Sequence, residues 1–311
     1  FMERYAPTVM DLAPRDIISR CIITEIREGR GILGSDGTYY INLDLTHLGK
    51  KLIDEKLPEI TGFARTYLGV EPTKESVPIQ PTAHYAMGGI PTNFDTEVLA
   101  DNKGKVIKGL YAAGECACVS VHGANRLGTN SLLDIVVFGR RGGKKIAELL
   151  KTADYTDFKS DPHAKTKETL NNLLSKNGTE KISTIRRELQ ENMMDKCGIF
   201  RTEADLKQMK DLVIKYKERY KNINVTDKGM VFNTELMEAI ELGNLLDIAE
   251  TITECALNRT ESRGAHTRED FPKRDDVNWM KHSFIRKDVK GTKINYKPVT
   301  KTRYEPMERK Y

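Results

Sequence analysis

The stretch that decides the fold is Ser120-Val121-His122-Gly123-Ala124-Asn125-Arg126-Leu127-Gly128-Thr129-Asn130-Ser131-Leu132-Leu133-Asp134. It is polar and glycine-rich up to Asn130 and then turns into an apolar run: Leu132, Leu133, Ile135, Val136, Val137 and Phe138. Such a run calls for burial, so a helix or strand is expected to begin near Asn130. A helix is favoured, because Ser131 and Asp134 stand in capping-box spacing and the pattern continues to Leu150. The unpaired amides and positive dipole of a buried helix start suit an anionic ligand or an electron-rich ring.

Working outward, a second glycine-rich turn precedes the first: Pro81-Thr82-Ala83-His84-Tyr85-Ala86-Met87-Gly88-Gly89-Ile90. Between the two, residues 107–113 form a short apolar run ending in Gly114-Glu115. That pattern predicts a buried strand whose terminal carboxylate, Glu115, meets a ligand. Arg126 sits in a glycine-flanked loop, where binding groups concentrate, and its planar fork fits a carboxylate. His84 alone reads as a structural histidine, and Arg15 alone as a solvated or ion-paired residue at a helix start.

The chain has 311 residues, which predicts two or three domains. Its 50 basic and 45 acidic residues are interspersed, aromatics are few and no basic tract appears, so nucleic acid is not an expected partner. No apolar stretch reaches the about 20 residues of a membrane span, and no signal peptide is visible. Five scattered cysteines fit reduced thiols in a cytoplasmic compartment. Cys116 and Cys118 form the one close pair. They lack the further ligands of a metal site and read as small buried thiols, so no metal is expected.

Periodicity divides the chain into four. Residues 1–78 carry a helix over Arg15–Arg27, a strand over 38–43 and a second helix over 49–66. Residues 79–150 hold both glycine-rich turns, and residues 151–160 read as a linker. Within 151–257 apolar residues recur at three and four: Ile182, Ile185, Leu189 and Met193, then Leu206, Met209, Val213, Tyr216 and Tyr220. A third set comprises Leu236, Ile240, Leu245, Ile248 and Ile252, which completes a bundle of three or four helices. Residues 258–311 lose the period, gain charge and show no core of their own.

With these residues in view, the wording resembles the flavoprotein subunits of succinate dehydrogenase and fumarate reductase. The matching motifs are His84-Tyr85-Ala86-Met87-Gly88-Gly89, Gly114-Glu115 and the His122-to-Asp134 block. Arg4-Tyr5-Ala6-Pro7, Asp11-Leu12-Ala13-Pro14-Arg15-Asp16 and Glu25-Ile26-Arg27-Glu28-Gly29-Arg30-Gly31 precede them. Glu261-Ser262-Arg263-Gly264-Ala265-His266 and Arg274-Asp275-Asp276-Val277-Asn278-Trp279 follow. The resemblance implies a multidomain α+β fold. Its expected parts are the remainder of an α+β capping domain (1–78), a returning part of a Rossmann-like FAD-binding domain (79–150), a helical bundle (151–257) and a small irregular C-terminal domain (258–311).

The resemblance also implies roles. Arg15 is expected to be the proton-transfer arginine on the capping domain, His84 and Arg126 to bind the dicarboxylate, and Glu115, Asn130, Ser131 and Leu132 to contact FAD. The FAD is expected to be tethered through a histidine upstream. The expected activity is oxidation of succinate to fumarate or the reverse. Electrons would pass to an iron–sulfur subunit and then quinone, with the protein held at the cytoplasmic face of the cell membrane through membrane anchor subunits. His122, Arg263 and His266 have no implied ligand role; His122 reads as a structural residue, and Arg263 and His266 as fold or interface residues.

The chain starts at Phe1 and contains no strand, Gly-x-Gly-x-x-Gly and helix unit for a dinucleotide pyrophosphate. It is therefore expected to be the C-terminal half of a longer protein. Two other readings compete: a soluble L-aspartate oxidase, which shares the capping arginine and the Ala-Asn-Arg loop, and a non-catalytic module that docks the iron–sulfur subunit.

Overall fold

The computed structural model describes residues 1–307 apart from Thr156, Lys159, Val289 and Lys290. It falls into two compact units, Phe1–Tyr85 together with Met307, and Ala86–Pro306. The two unplaced positions in the 151–160 linker, and residues 308–311 of the tail, lie outside the described residues.

In the first unit, α1 (Arg15–Arg27) starts where the sequence predicts, with Pro14 just outside the helix in extended conformation. Cys21 on α1 packs with Met2, Ala6 and Ala13 in a small core flanked by Tyr5, Ile17 and Ile18. Two of the resembling motifs meet at Glu25, which is 3% exposed. Its carboxylate accepts from Arg4 Nη2 at 2.8 Å, Tyr5 Oη at 2.5 Å and Arg30 Nε at 2.6 Å. The Arg30 guanidinium, foremost, holds the Glu25 carboxyl down at about 2. Strands β1 (Ile32–Leu33), β2 (Tyr39–Leu43) and β3 (Val77–Ile79) form an antiparallel sheet with Ile41 opposite Ile79. The helix expected over 49–66 is broken into α2 (Lys50–Lys56), α3 (Pro58–Phe63) and a wider π turn over Ala64–Leu68. Pro58 has no N–H to donate and pushes Leu57 out of helical geometry, to φ −128° and ψ 41°.

The second unit opens with short strands. β4 (Ile90–Pro91) runs parallel to β7 (Ala117–Cys118), while β5 (Glu97–Leu99) and β6 (Val106–Tyr111) are antiparallel. The long helix α4 (Asn130–Leu149) follows. Next comes the bundle: α5 (Ala164–Leu174), α6 (Ile182–Lys196), α7 (Glu203–Lys221) and α8 (Thr234–Asn258). Its helix starts are capped as the sequence allows. Thr202 Oγ1 accepts from the Asp205 amide at 3.1 Å and Asn233 Oδ1 from the Leu236 amide at 2.7 Å. Ile185, Leu206, Met209, Tyr216 and Leu242 form one continuous buried core.

The stripe expected on α8 is displaced. Its buried face is Leu236, Ala239, Leu242, Leu246, Ala249, Thr253 and Ala256, whereas Leu245, Ile248 and Ile252 are exposed. The helix carries large apolar residues on more than one face, with Leu245, Ile248 and Ile252 beside the buried Leu242 and Leu246, so periodicity alone could not choose the face. The tail carries more regular structure than its charge announced. After α9 (Asp276–Trp279), β8 (Lys281–Asp288) and β9 (Gly291–Pro298) pair in one antiparallel register, Phe284 opposite Asn295.

Two expectations of burial fail in the 86–150 segment. The strand at 107–113 forms as β6, yet Ile107 is 43% and Leu110 48% exposed. The helix at Asn130 forms as α4, yet Leu132, Leu133, Ile135, Val136 and Val137 are all exposed. The described residues offer no second apolar layer for either to pack against.

Candidate ligand site at the start of α4

The turn at 86–90 and the loop at 114–118 are bound together by backbone geometry. Gly89, at φ +126°, comes so close to Cys116 that an added Cβ would lie 2.5 Å from its carbonyl oxygen. The Ile90 amide donates to that same oxygen at 2.9 Å. Glu115, at the end of the β6 run, turns its Oε1 to the Ala86 amide at 3.0 Å. It thus joins the 86–90 turn to the loop at 114–118, a contact that sequence reasoning did not anticipate. Cys116, expected to be buried, is exposed, and Cys118 is half-buried.

The start of α4 differs from the capping box expected for it. The N-cap is Thr129, in the left-handed region at φ 63°, and no side chain caps the first turn. Asp134, the presumed box acid, is 4% exposed and hydrogen-bonds His122 Nε2 at 3.0 Å. His122 is thereby a fold residue that ties the loop to the helix. Asn130, Ser131 and Leu132 form the first turn of α4, which no side chain caps. The Asn130 amide donates to the Leu127 carbonyl at 3.3 Å and the Leu132 amide to the Thr129 carbonyl at 2.9 Å, and the positive end of the helix dipole favours acceptor atoms there. Leu132, 65% exposed, adds an apolar surface beside those amides.

Arg126 lies in the loop just before this helix and is partly buried, its Nη1 donating to the Leu127 carbonyl at 3.2 Å. The loop is backed by the tail motif Glu261 to His266. The Ala265 amide donates to the Ala124 carbonyl at 2.9 Å, and Gly264, at φ +58°, fits directly against Ala124. Arg263 and His266, left by the sequence as fold or interface residues, hold that motif rigid. Arg263 Nη2 reaches Asp276 Oδ1 at 2.7 Å and its Nε reaches Glu261 Oε1 at 2.8 Å. His266 Nε2 faces the Arg259 carbonyl at 3.1 Å and Nδ1 faces Arg201 Nη1 at 2.8 Å. Burial, reinforced by the Arg201 charge, pushes the His266 ring down to about 4, so it is neutral at pH 7.

The structure therefore gathers Glu115, Arg126, Asn130, Ser131 and Leu132 in one segment of the second unit. Arg15 and His84 belong to the first unit, where both side chains are exposed. Arg15 is the first helical residue of α1, and neither it nor His84 makes a hydrogen bond or ion pair among the described residues.

The chain is similar to known proteins along most of its length. Residues 1–132 match the family of FAD binding domains and residues 186–311 the family described as fumarate reductase flavoprotein C-term. The succinate dehydrogenase flavoprotein subunit of Rickettsia conorii is 44% identical over 307 residues, covering 97% of this chain and 51% of that protein. The mitochondrial succinate dehydrogenase [ubiquinone] flavoprotein subunit of Oryza sativa subsp. japonica is 46% identical over 303 residues, covering 96% and 48% respectively. A solved E. coli quinol fumarate reductase chain superposes with a TM-score of 0.87 at 40% identity, over 96% of this chain and 51% of that one. An adenosine-5-phosphosulfate reductase, at 16% identity and a TM-score of 0.64, shares the fold. The chain spans about half the length of the curated relatives it matches.

Proposed function

We propose, for a chain that belongs to the family of succinate dehydrogenase and fumarate reductase flavoprotein subunits, that it is part of a longer enzyme interconverting succinate and fumarate with FAD. The observation that carries the reading is the Ala124-Asn125-Arg126 loop running straight into an α4 start that no side chain caps. One stretch of chain thereby offers a carboxylate fork and the positive end of a helix dipole.

FAD, when bound, supplies the acceptor for hydride leaving a substrate carbon. The residues that would hold it are Glu115, Asn130, Ser131 and Leu132. The positive end of the α4 dipole favours negative charge placed there. Arg126 pairs one substrate carboxylate through its planar fork, and His84 donates to the other. A dianion requires two such separated groups. Arg15 handles the proton on the neighbouring carbon. A guanidinium is protonated at rest, so it gives that proton to the substrate carbon in fumarate reduction and takes one back from a proton relay, and in the opposite direction it acts as one member of that relay.

Electrons leave for an iron–sulfur subunit and then quinone, with the protein peripheral at the cytoplasmic membrane face through its partners. Among the described residues no helix is long and apolar enough to cross a membrane, which is in keeping with attachment through other subunits. The matching relatives are succinate dehydrogenases and fumarate reductases, which favours this reading over an L-aspartate oxidase. Flavin content of the longer protein separates it from a non-catalytic docking module.

The test is Arg126→Lys in the flavin-loaded longer protein. The charge stays while the bidentate fit goes, so kcat/KM for succinate should fall by on the order of 2 kcal/mol of transition-state stabilisation. Unchanged malonate affinity in both Arg126→Lys and His84→Ala would remove these residues from the site.

A further inference from the structure

We propose that Gly264 and Ser120 are positioning residues that set the place of Arg126 by fixing the 120–126 loop from behind. The inference rests on the reading of Arg126 as a carboxylate ligand. Three independent anchors carry it. At the near end of the loop, Ser120 takes the left-handed conformation, φ 80°, which an L residue adopts only under constraint, and its Oγ is hydrogen-bonded to His282 Nε2 on β8 at 2.6 Å. In the middle, His122 is held by Asp134 of α4. At the far end, two residues before Arg126, Ala124 accepts from the Ala265 amide at 2.9 Å.

The third anchor is the tightest. A Cβ built on Gly264 would lie 2.5 Å from the Ala124 carbonyl oxygen and 2.9 Å from its Cβ. Both clashing partners are backbone or directly attached to it, so a side chain at 264 forces the loop itself to move. The segment behind it is too stiff to yield. Glu261, 1% exposed, accepts from Arg259 Nη1 at 2.6 Å, Arg263 Nε at 2.8 Å and the Asp275 amide at 2.9 Å. Displacement therefore falls on the loop and on the direction in which Arg126 points. The tail contributes to substrate affinity through backbone placement, with no side chain of its own on the ligand.

The flavin-loaded longer protein tests this through malonate affinity, read by the change in flavin absorbance on titration. Gly264→Ala should weaken malonate about tenfold with flavin content unchanged, and should add less than about twofold in an Arg126→Gln background, because the two act through one contact. A merely structural residue would multiply its effect on top of Arg126→Gln, and that result overturns the proposal, as does unchanged affinity in Gly264→Ala. If Gly264→Ala fails to fold or loses flavin, Ser120→Ala decides instead. It should weaken malonate about threefold and again show no further loss beside Arg126→Gln. Independence from Arg126, or no effect, overturns the proposal in that arm. If Arg126→Gln itself leaves malonate binding intact, the assignment of Arg126 falls and the inference falls with it. Weakening by Arg126→Gln alone, with both positioning variants normal, removes only the inference.

Discussion

The helical bundle and the 86–150 segment are both rich in apolar residues and use them in opposite ways. In the bundle, Ile185, Leu206, Met209 and Leu242 are each 0% exposed. In the segment, α4 turns Leu133, Val136 and Val137 to solvent at 60%, 66% and 51%. The bundle closes a core from its own helices, whereas the segment leaves an apolar face uncovered among the described residues. An exposed apolar face of this kind marks a surface made for contact. The glycine-rich turns of the candidate site sit on the open layer, so on the proposed reading stability and site answer to different parts of the molecule.

The largest effect should come from breaking the closed side. Leu242→Ala deletes buried methyl groups where small neighbours such as Ala239 and Ala249 cannot collapse far. It should lower the unfolding free energy of the helical circular dichroism signal by about 3 kcal/mol in urea. A loss under about 1 kcal/mol would mean that the bundle core is as loose as the 86–150 segment.

The next effect tests where the closed side ends. Arg268 is fully buried, donates to the Ala256 and Leu257 carbonyls at the end of α8, and pairs with Asp270 at 2.7 and 2.8 Å. Asp270→Ala leaves that guanidinium without its carboxylate. The remaining carbonyls soften the result, so the loss should be about 2 kcal/mol, below the value for a fully stripped buried pair. No change in the urea midpoint would place the tail outside the bundle's cooperative unit.

How much was legible follows the same division. The buried faces of α6 and α7 could be read from Ile182, Ile185, Leu189 and from Leu206, Met209, Val213, because a local period reports burial when the helices that cover it are nearby in sequence. On α8 the period failed, since Leu245 and Ile248 are as apolar as the Leu242 and Leu246 that are buried. At the site, the motif order located Arg126 and the α4 start. It did not reveal that Asp134 serves His122, that Thr129 is the N-cap, or that Glu115 holds the Ala86 amide. Two of these are contacts between residues on different elements and the third is a left-handed backbone turn at a threonine, and no local apolar period encodes them. The hairpin of β8 and β9 was missed because strands paired mainly to each other, with polar residues on both faces, lack the alternation that announces a half-buried sheet.

Acid should separate the regions more gently. The His266 ring is held at about 4, below its ordinary 6.5, so the folded state prefers it neutral. Its stabilising contribution is complete above pH 6.5 and is lost as pH falls from there towards 4. Glu25 in the first unit, held at about 2, loses its contribution only from about 4.5 downward. Moving from pH 7 to 5 should therefore weaken the second unit by on the order of 1 kcal/mol, allowing for solvent screening of a partly exposed ring, and leave Glu25 untouched. His266→Gln should flatten that pH dependence. A slope that persists in the variant would assign it to another group.

The smallest effect should appear on the open side. Leu133 is 60% exposed on α4, and glutamine keeps the helix propensity of leucine, so Leu133→Gln in this chain should change the unfolding free energy by less than about 0.5 kcal/mol. The same substitution in the flavin-loaded longer protein should cost several times more, because a polar group would then be placed in a completed core. Leu242→Ala provides the internal control, since its surroundings are complete in both and its penalty should match between them. If Leu133→Gln already destabilises this chain by more than about 1 kcal/mol, α4 is buried by a contact with the rest of this chain or with a second copy of it, and the contrast between a closed bundle and an open ligand-facing layer does not hold. If it is silent in both contexts, the face stays in solvent throughout, and the apolar run at 132–138 needs an explanation other than a core.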